Sequence, residues 1–312
     1  MDPGLPTLSV VVPVYNAAAS LAALVERLEP ILRTHSARFE LILVNDGSRD
    51  GSWPLVEQLV ARHAWVRGID MLRNYGQHNA LLCGIRAARH EFVVTMDDDL
   101  QHPPEELPKL LARLAPTCDV VYGPPDRQKH GLLRGLASSM TKIVLQRSLG
   151  AENARSVCAL RVFRTCLRDA FENYSGQYVS IDVLLSWSTT RFDSVTVRHE
   201  ERKHGQSNYT YRKLITHALN MVTGYSALPL KLASWVGFVF TLFGLGVLAY
   251  VLVSYLVRGS PVAGFPFLAS IIAVFSGAQL FALGIMGEYL ARIHFRMMDR
   301  PTYAVRRHIG GA

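Results

Sequence analysis

The chain has 312 residues, enough for one large domain or two small ones. It carries 33 basic and 25 acidic side chains, a formal net charge of +8, 49% hydrophobic residues and a mean hydropathy of +0.16. Because no nucleic-acid-binding motif accompanies the positive charge, anionic lipid is favoured over nucleic acid as a partner, and four cysteines without CxxC or zinc-type spacing predict reduced thiols.

The amino-terminal part of the chain alternates strand-like and helix-like runs. Strands are predicted at Leu8–Val14, Phe39–Val44, Val66–Met71, Glu91–Met96 and Asp119–Tyr122. Helices are predicted at Ser20–Arg33, Trp53–His63, Gln77–Arg89 and Glu105–Leu114. This alternation predicts an α/β domain with a Rossmann-like, mostly parallel sheet and helices on both faces. Since ligands of such sheets bind at the carboxyl ends of the strands, the site is expected at that edge.

An acidic triplet, Asp97 to Asp99, follows the fourth predicted strand within the segment MDDDLQHPPEE. If the strand continues through the triplet, Asp97 and Asp99 share a face while Asp98 points elsewhere. Two carboxylates and the nearby Gln101 carbonyl form a hard oxygen site suited to Mg²⁺ or Mn²⁺, with positions left for substrate phosphates. The triplet therefore predicts a holder of a metal-bound diphosphate, and a solvated acidic turn is the alternative for this spacing alone.

Two runs without a charged side chain, Leu232–Val257 and Val262–Gly287, predict transmembrane helices, because each is long enough to cross a ~30 Å hydrocarbon layer. Two buried helices of a soluble core are the alternative, which the lack of a polar face disfavours. Met1–Thr7 lacks a basic signal-peptide region, so the preceding domain is expected to stay on the side of synthesis. By the positive-inside tendency both chain ends are expected in the cytoplasm, because basic residues follow the second run: Arg292, Arg296, Arg300, Arg306 and Arg307.

Seven short motifs occur in order along nearly the whole chain, and together they are far more specific than any one of them. They are VVPVYN, NDGSRDGS, RNYGQHNALLCG, MDDDLQHPPEE, ERKHGQSNY, SALPL and GEYLARI. This pattern resembles the family-2, GT-A-type glycosyltransferases that load a sugar onto polyprenyl phosphate. The group includes dolichol-phosphate mannose synthases, bactoprenol glucosyltransferases and the undecaprenyl-phosphate aminoarabinose transferase, and RNYGQH with the two-span carboxyl terminus most resembles the last two.

The resemblance implies inverting transfer from a nucleotide sugar, expected to be a UDP-sugar, to undecaprenyl phosphate at the cytoplasmic face of a bacterial inner membrane. It also implies a homo-oligomer, a tetramer in relatives. The implied nucleotide and donor pocket consists of Pro13, Tyr15, Val44, Asp46, Asn74, Asp98 and Arg127. The implied metal ligands and catalytic or phosphate-holding residues are Asp97, Asp99, Gln101, Arg202 and Ser207.

The expected organisation has four parts. A GT-A domain spans 1–207, a juxtamembrane interfacial helix 208–231, two transmembrane helices 232–291 (about 232–257 and 262–287), and a basic cytoplasmic tail 292–312.

The chain departs from the family pattern at several acidic positions. Asn45 replaces the first Asp of an acidic pair, and Arg155-Ser156-Val157-Cys158 lacks the Asp that relatives use as a proposed general base. A phosphate acceptor is largely dianionic at neutral pH, so no base is needed to activate it. Arg155 is expected to draw in this anionic acceptor, and an exposed basic residue of no consequence is the alternative.

Two other functions remain open at this point. A processive polysaccharide synthase is disfavoured because no QxxRW-like segment occurs. A non-catalytic membrane scaffold that retains the fold gains some weight from the lost acidic residues.

Overall fold

The computed structural model describes residues 4–125, 156–176, 179–200, 228–258, 265–298 and 300–311. The chain divides into two compact units, which are taken separately. One comprises Met1–Ile215 with Arg300–Ala312, and the other comprises Thr216–Asp299. The predicted juxtamembrane helix lies largely outside the described residues, as does the connection 259–264 between the two apolar helices.

The first unit is built on a mostly parallel sheet, as predicted, with the strand order β7-β5-β6-β4-β1-β2-β3-β8. The strands are β1 (Thr7–Val14), β2 (Arg38–Asn45), β3 (Val66–Met71), β4 (Phe92–Thr95), β5 (Val120–Tyr122), β6 (Arg161–Arg164), β7 (Phe192–Ser194) and β8 (Val305–Ile309). Parallel pairing joins β4, β1, β2 and β3. In contrast, β6 is antiparallel to β4 and β5, and β8 is antiparallel to β3.

Helices cover both faces of this sheet because its strands are buried on both sides. They are α1 (Leu21–His35), α2 (Ser52–Arg62), α3 (Gln77–Ala87), α4 (Leu107–Leu111) and α5 (Ile181–Ser188), with 3₁₀ turns at Pro104–Glu106 and Thr165–Phe171. Alternate residues of β1 point to opposite faces, so Val10 and Val12 pack with α1 whereas Val11 packs with α3. Gly84 permits the close approach of α3, since a Cβ there would lie 2.3 Å from Cγ1 of Val11.

The end of the chain differs from the predicted basic tail. The second apolar helix continues to Met297, and Val305–Ile309 then pairs with β3 as the edge strand β8. Ile309 packs against Gly68, where an added Cβ would lie 2.8 Å from the Ile309 side chain. The strand can be basic because Asp70 and Glu57 pair with its arginines. The sequence predicts the basic charge of this segment, but the apolar residues at its two ends, which mark it as a strand, were not recognised.

The second unit contains two long apolar helices, as predicted: α6 (Leu228–Arg258) and α7 (Phe265–Met297). The segments Pro229–Ser254 and Val274–His294 have mean hydropathies of 2.4 and 1.3 and are long and apolar enough to cross a membrane. Neither is buried within the protein, which distinguishes both from core helices of a soluble domain. Within this unit the ring of Phe275 packs against Phe240 and Phe243, with centroids 5.6 and 6.4 Å apart.

Candidate active site

The carboxyl ends of the parallel strands bring the predicted polar segments to one edge of the sheet. A cavity of about 320 Å³ opens there. Its lining comes from the ends of β1, β2 and β3, from the start of α2 and from β8: Tyr15, Asn45, Gly47, Ser48, Arg49, Trp53, Asp70, Met71, Leu72, Arg73, Asn74 and Arg306. Two of the predicted donor residues, Tyr15 and Asn74, line it, and Tyr15 is 40% exposed.

The acidic triplet follows β4 but does not belong to it. The strand ends at Thr95, and Asp98 and Asp99 lie in a turn that is followed by Leu100 with a φ of 59°. The alternation argument, which placed Asp97 and Asp99 on one face of a strand, is therefore wrong. Three adjacent carboxylates repel one another, and a turn gives each of them a different partner.

Each carboxylate of the triplet is held by a different part of the site. Gln77 at the start of α3 donates from Nε2 to Oδ1 of Asp97 at 2.6 Å. The backbone N–H of Tyr15 donates to Oδ2 of Asp98 at 3.3 Å, which links β1 to the acidic loop. The third carboxylate, that of Asp99, accepts a hydrogen bond on Oδ1 from the N–H of Gln101 at 3.1 Å.

The charge of this loop suits a cation. Burial, together with the neighbouring charges of Asp97 and Asp99, raises the pKa of Asp98 to about 7, although the hydrogen bond from the Tyr15 N–H opposes the shift. Among the described residues, no group of three or more His, Cys, Asp or Glu side chains is arranged to hold a metal alone. The donor set nevertheless fits Mg²⁺ or Mn²⁺, which commonly bind through one or two carboxylates and take their other ligands from substrate phosphates and water.

Gln101 joins the acidic loop to the segment before residue 201. Its backbone carbonyl accepts a hydrogen bond from the N–H of Glu200 at 2.8 Å. Arg198 donates from Nε to Oε1 of the buried Glu106 at 2.7 Å. Arg198 and Glu200 are thus fixed beside the acidic loop.

Two of the predicted pocket residues support the site from beneath. The side chain of Val44 is fully buried under α3, and Pro13 is buried within β1. Neither side chain lines the cavity that the structure describes.

Asp46 organises the loop between β3 and α3. It is 2% exposed and accepts hydrogen bonds from the N–H groups of Tyr75 at 2.6 Å and Gly76 at 2.9 Å. Burial raises the pKa of Asp46 to about 6, although these hydrogen bonds oppose the shift. Gly76 has a φ of 95°, a conformation that favours glycine. Asp46 therefore fixes the conformation of the loop that leads from β3 into α3.

Asn45, the departure from the family pattern, has a clear partner. Its Nδ2 donates to Oδ1 of the buried Asp70 at 2.7 Å, and its Oδ1 accepts from the N–H of Ser48 at 3.3 Å. An aspartate at this position would place a second carboxylate against Asp70. Sequence reasoning missed this pair because it depends on the register between β2 and β3.

A buried ion pair supports the end of β4. Arg161 of β6 and Asp182 of α5 are 2% and 6% exposed and are bonded to each other. The hydroxyl of Tyr122 donates to Asp182 at 3.0 Å, and Nε of Arg161 donates to Oγ1 of Thr95 at 2.9 Å. Oδ1 of Asp182 thus accepts hydrogen bonds from both Tyr122 and Arg161 in the interior of the domain.

Four predicted residues, Arg127, Arg155, Arg202 and Ser207, lie outside the described residues. Their roles remain predictions.

Comparison with known proteins identifies the family. The sequence model described as glycosyl transferase family 2 matches residues 9–174. A relative from Pseudomonas paraeruginosa named undecaprenyl-phosphate 4-deoxy-4-formamido-L-arabinose transferase is 35% identical over 98% of this chain and 91% of its own length. A relative of the same name from Yersinia enterocolitica is 33% identical over 97% and 94% of the two lengths.

The fold is similar to that of solved structures. The crystal structure of glucosyl-3-phosphoglycerate synthase from Mycobacterium tuberculosis with Mn²⁺, UDP and glucosyl-3-phosphoglycerate superimposes with a TM-score of 0.52. The similarity covers 70% of this chain and 78% of that one at 17% identity, so it bears on the fold alone.

Proposed function

The chain belongs to glycosyl transferase family 2, and from this membership we propose that it transfers a sugar, with inversion, from a UDP-sugar to undecaprenyl phosphate at the cytoplasmic face of a bacterial inner membrane. The observation that carries the proposal is the 35% identity over 98% of the chain to a protein named for this acceptor. The same similarity favours the transferase over a processive synthase or a non-catalytic scaffold. The pairing of Asn45 with Asp70 also gives one lost acidic residue a structural explanation.

The donor would lie along the carboxyl edge of the sheet. Tyr15 offers an exposed ring for the nucleoside and, through its N–H, contacts the acidic loop that would face the diphosphate. A Mg²⁺ or Mn²⁺ ion held by Asp97, Asp99 and Gln101 would neutralise the diphosphate as it leaves. The donor and the acidic loop would then share one rigid edge of the sheet, which would restrain the orientation of the reacting groups.

The acceptor needs positioning more than activation. A phosphate monoester is largely dianionic at neutral pH, so its oxygen attacks without losing a proton to the protein. Arg202 and Ser207 are proposed to hold this phosphate, with Arg127 on the donor phosphate and Arg155 attracting the acceptor. A guanidinium can bind phosphate oxygens in pairs, which fixes the direction of attack.

The path of the chain supports the proposed topology. Because β8 follows both apolar helices and pairs with β3, the segments before and after the helices form one folded unit, which would lie on one side of the membrane. That requires an even number of crossings, and α6 and α7 supply two. We therefore propose a catalytic domain of residues 1–207 completed by the carboxyl-terminal strand, an interfacial helix over 208–231, cytoplasmic ends, contact with anionic lipids and a homo-oligomeric assembly.

Product formation by the purified full chain tests the function. The protein is incubated with undecaprenyl phosphate, Mn²⁺ or Mg²⁺ and labelled UDP-sugars, and label that extracts with the lipid is measured. Asp99→Asn is expected to lower the rate by about 100-fold, because loss of a charged ligand weakens stabilisation of the leaving diphosphate.

Asp169→Asn provides the matched control, because Asp169 is a highly exposed carboxylate outside the site. It should retain full activity. Lipid-linked label that is absent for every UDP-sugar, or that persists unchanged in Asp99→Asn, would contradict the proposal.

A further inference from the structure

A β-bulge in the carboxyl-terminal strand places Arg306 at the candidate site. In the pairing of β3 with β8, Asp70 lies opposite Arg307 and Met71 lies opposite Val305. Arg306 is therefore an extra residue on β8 with no partner of its own in the register. Bulges of this kind redirect a side chain, and they are frequent beside active sites.

The redirected guanidinium reaches the cavity that Tyr15 lines. Its Nη1 lies 3.5 Å from Oδ2 of Asp70, and its Nη2 donates to the carbonyl of Leu72 at 3.4 Å. Both contacts are long, and the side chain is 58% exposed. A guanidinium has five N–H donors, so this geometry suits a ligand that supplies further acceptor oxygens.

The charge of the cavity indicates the same kind of ligand. Arg49 and Arg73 line it together with Arg306, whereas Asp70 is its only acidic lining residue in the described structure and is already bonded to Asn45. Such a surface attracts electron-rich carbonyl and hydroxyl oxygens or anions.

The order of strands separates the two ends of an elongated ligand. The acidic loop follows β4, Tyr15 follows β1, and the arginine-lined cavity lies at the ends of β2, β3 and β8. With strands ~4.8 Å apart, β4 and β3 are about 14 Å from each other. A donor with its diphosphate at the acidic loop and its nucleoside on the exposed ring of Tyr15 would extend into the cavity that Arg306 lines.

We propose that Arg306 binds the nucleoside part of the donor, and that the carboxyl-terminal strand completes the donor pocket. This inference rests on the proposed function for the identity of the donor. Uracil and ribose present the carbonyl and hydroxyl oxygens that a guanidinium bonds. Because β8 follows α6 and α7 in the chain, the pocket is complete only when the segment after the two apolar helices has returned to the sheet.

Equilibrium binding of UDP to the purified full chain tests the inference without any sugar transfer. Calorimetric titration in the presence of Mn²⁺ should show Arg306→Ala binding UDP about tenfold more weakly than the natural sequence, the loss expected for a hydrogen bond from a charged group. Arg306→Lys should be intermediate, because it keeps the charge and loses the planar fork. Uridine, which lacks phosphate, should also compete less well for Arg306→Ala than for the natural sequence, by a similar factor.

Two variants serve as controls. His308→Ala alters an exposed side chain of the same strand that does not line the cavity, and Arg300→Ala removes one exposed charge before the strand. Both should bind UDP within about twofold of the natural sequence, since neither removes a contact in the cavity. Hydrogen exchange of the β3 and β8 amides checks that the strand stays paired. If Arg306→Ala releases β8 from β3, the inference is judged from the UDP affinity of Arg306→Lys instead.

The outcomes separate this inference from the proposed function. UDP affinity that is unchanged in Arg306→Ala with β8 still paired, or unchanged in both Arg306 variants, overturns the role of Arg306 even if sugar transfer is observed. Weaker UDP binding in Arg306→Ala supports it even if undecaprenyl phosphate proves not to be the acceptor. Failure of the natural sequence to bind UDP overturns both.

Discussion

Replacement of Asn45 by aspartate tests how the donor edge is built. The substitution introduces the aspartate that the family pattern implies at this position, yet here it should destabilise the protein. Nδ2 of Asn45 lies 2.7 Å from Oδ1 of Asp70, so Asn45→Asp sets two carboxylates in direct contact. At an effective dielectric constant of 20, two unit charges at this separation repel by about 6 kcal/mol.

Protonation limits the actual cost. A carboxyl with an ordinary pKa of about 3.9 can be kept protonated at pH 7 for about 4 kcal/mol, and at pH 5 for about 1.5 kcal/mol. Protonation costs less free energy than the repulsion between two charged carboxylates, so the folded variant binds one more proton than its unfolded chain. Its free energy of unfolding therefore falls as pH rises above about 4, and relative to the natural sequence it should lose about 2–3 kcal/mol between pH 5 and 7.

Thermal unfolding of the purified chain at several pH values measures this effect. The double variant Asn45→Asp with Asp70→Asn provides the control, because it restores one carboxylate and one amide with their places exchanged. It should recover most of the lost stability and remove most of the pH dependence that Asn45→Asp adds. Equal unfolding temperatures for Asn45→Asp and the natural sequence at pH 7, or no rescue by the exchange, would refute the reasoning.

Two further substitutions test the interior and the apolar helices. Arg161→Met leaves the buried Asp182 without its cation and should lower the free energy of unfolding by about 3–5 kcal/mol, whereas an unchanged unfolding midpoint in denaturant would contradict a structural role for the pair. Leu245→Arg, on the exposed surface of α6, should oppose insertion by about 2.5–3.5 kcal/mol if that helix spans a membrane. Membrane fractionation measures the inserted fraction, with Met298→Arg beyond α7 as the control. Equal membrane recovery of both variants would argue against a span.

The local patterns of the sequence predict much of the fold. In β1, the apolar run Val10–Val12 predicts a strand that is buried on both faces, and the helices α1 to α3 begin and end close to their predicted residues. β6 and β7 escape prediction because they have only four and three residues and contain charged side chains such as Arg161. Their formation depends on partners that are distant in the chain, and no local pattern records a partner.

The candidate site divides in the same way. The triplet Asp97 to Asp99 is conspicuous in the sequence because adjacent acids after an apolar run demand an explanation. The geometry of the triplet cannot be seen in the sequence, since the strand stops at Thr95 and each carboxylate has a different hydrogen-bond partner. Asp46 also fits a motif, but its oxygens hold the β3–α3 loop. The type of a site residue is thus easier to predict than the direction of its side chain, because that direction depends on where backbone N–H groups lie.

The carboxyl-terminal strand links assembly in the membrane to the chemistry at its surface. An edge strand contributes both hydrogen bonds and side chains, and β8 gives the cavity Arg306 as well as covering the exposed edge of β3. A catalytic domain cut before the apolar helices would therefore lose an edge of its sheet together with one wall of its cavity. For this reason the two helices cannot be regarded as a simple anchor appended to a finished enzyme. On the proposed topology, the chain that leaves the domain at one point must come back to complete it, so correct insertion would be a condition for binding the donor.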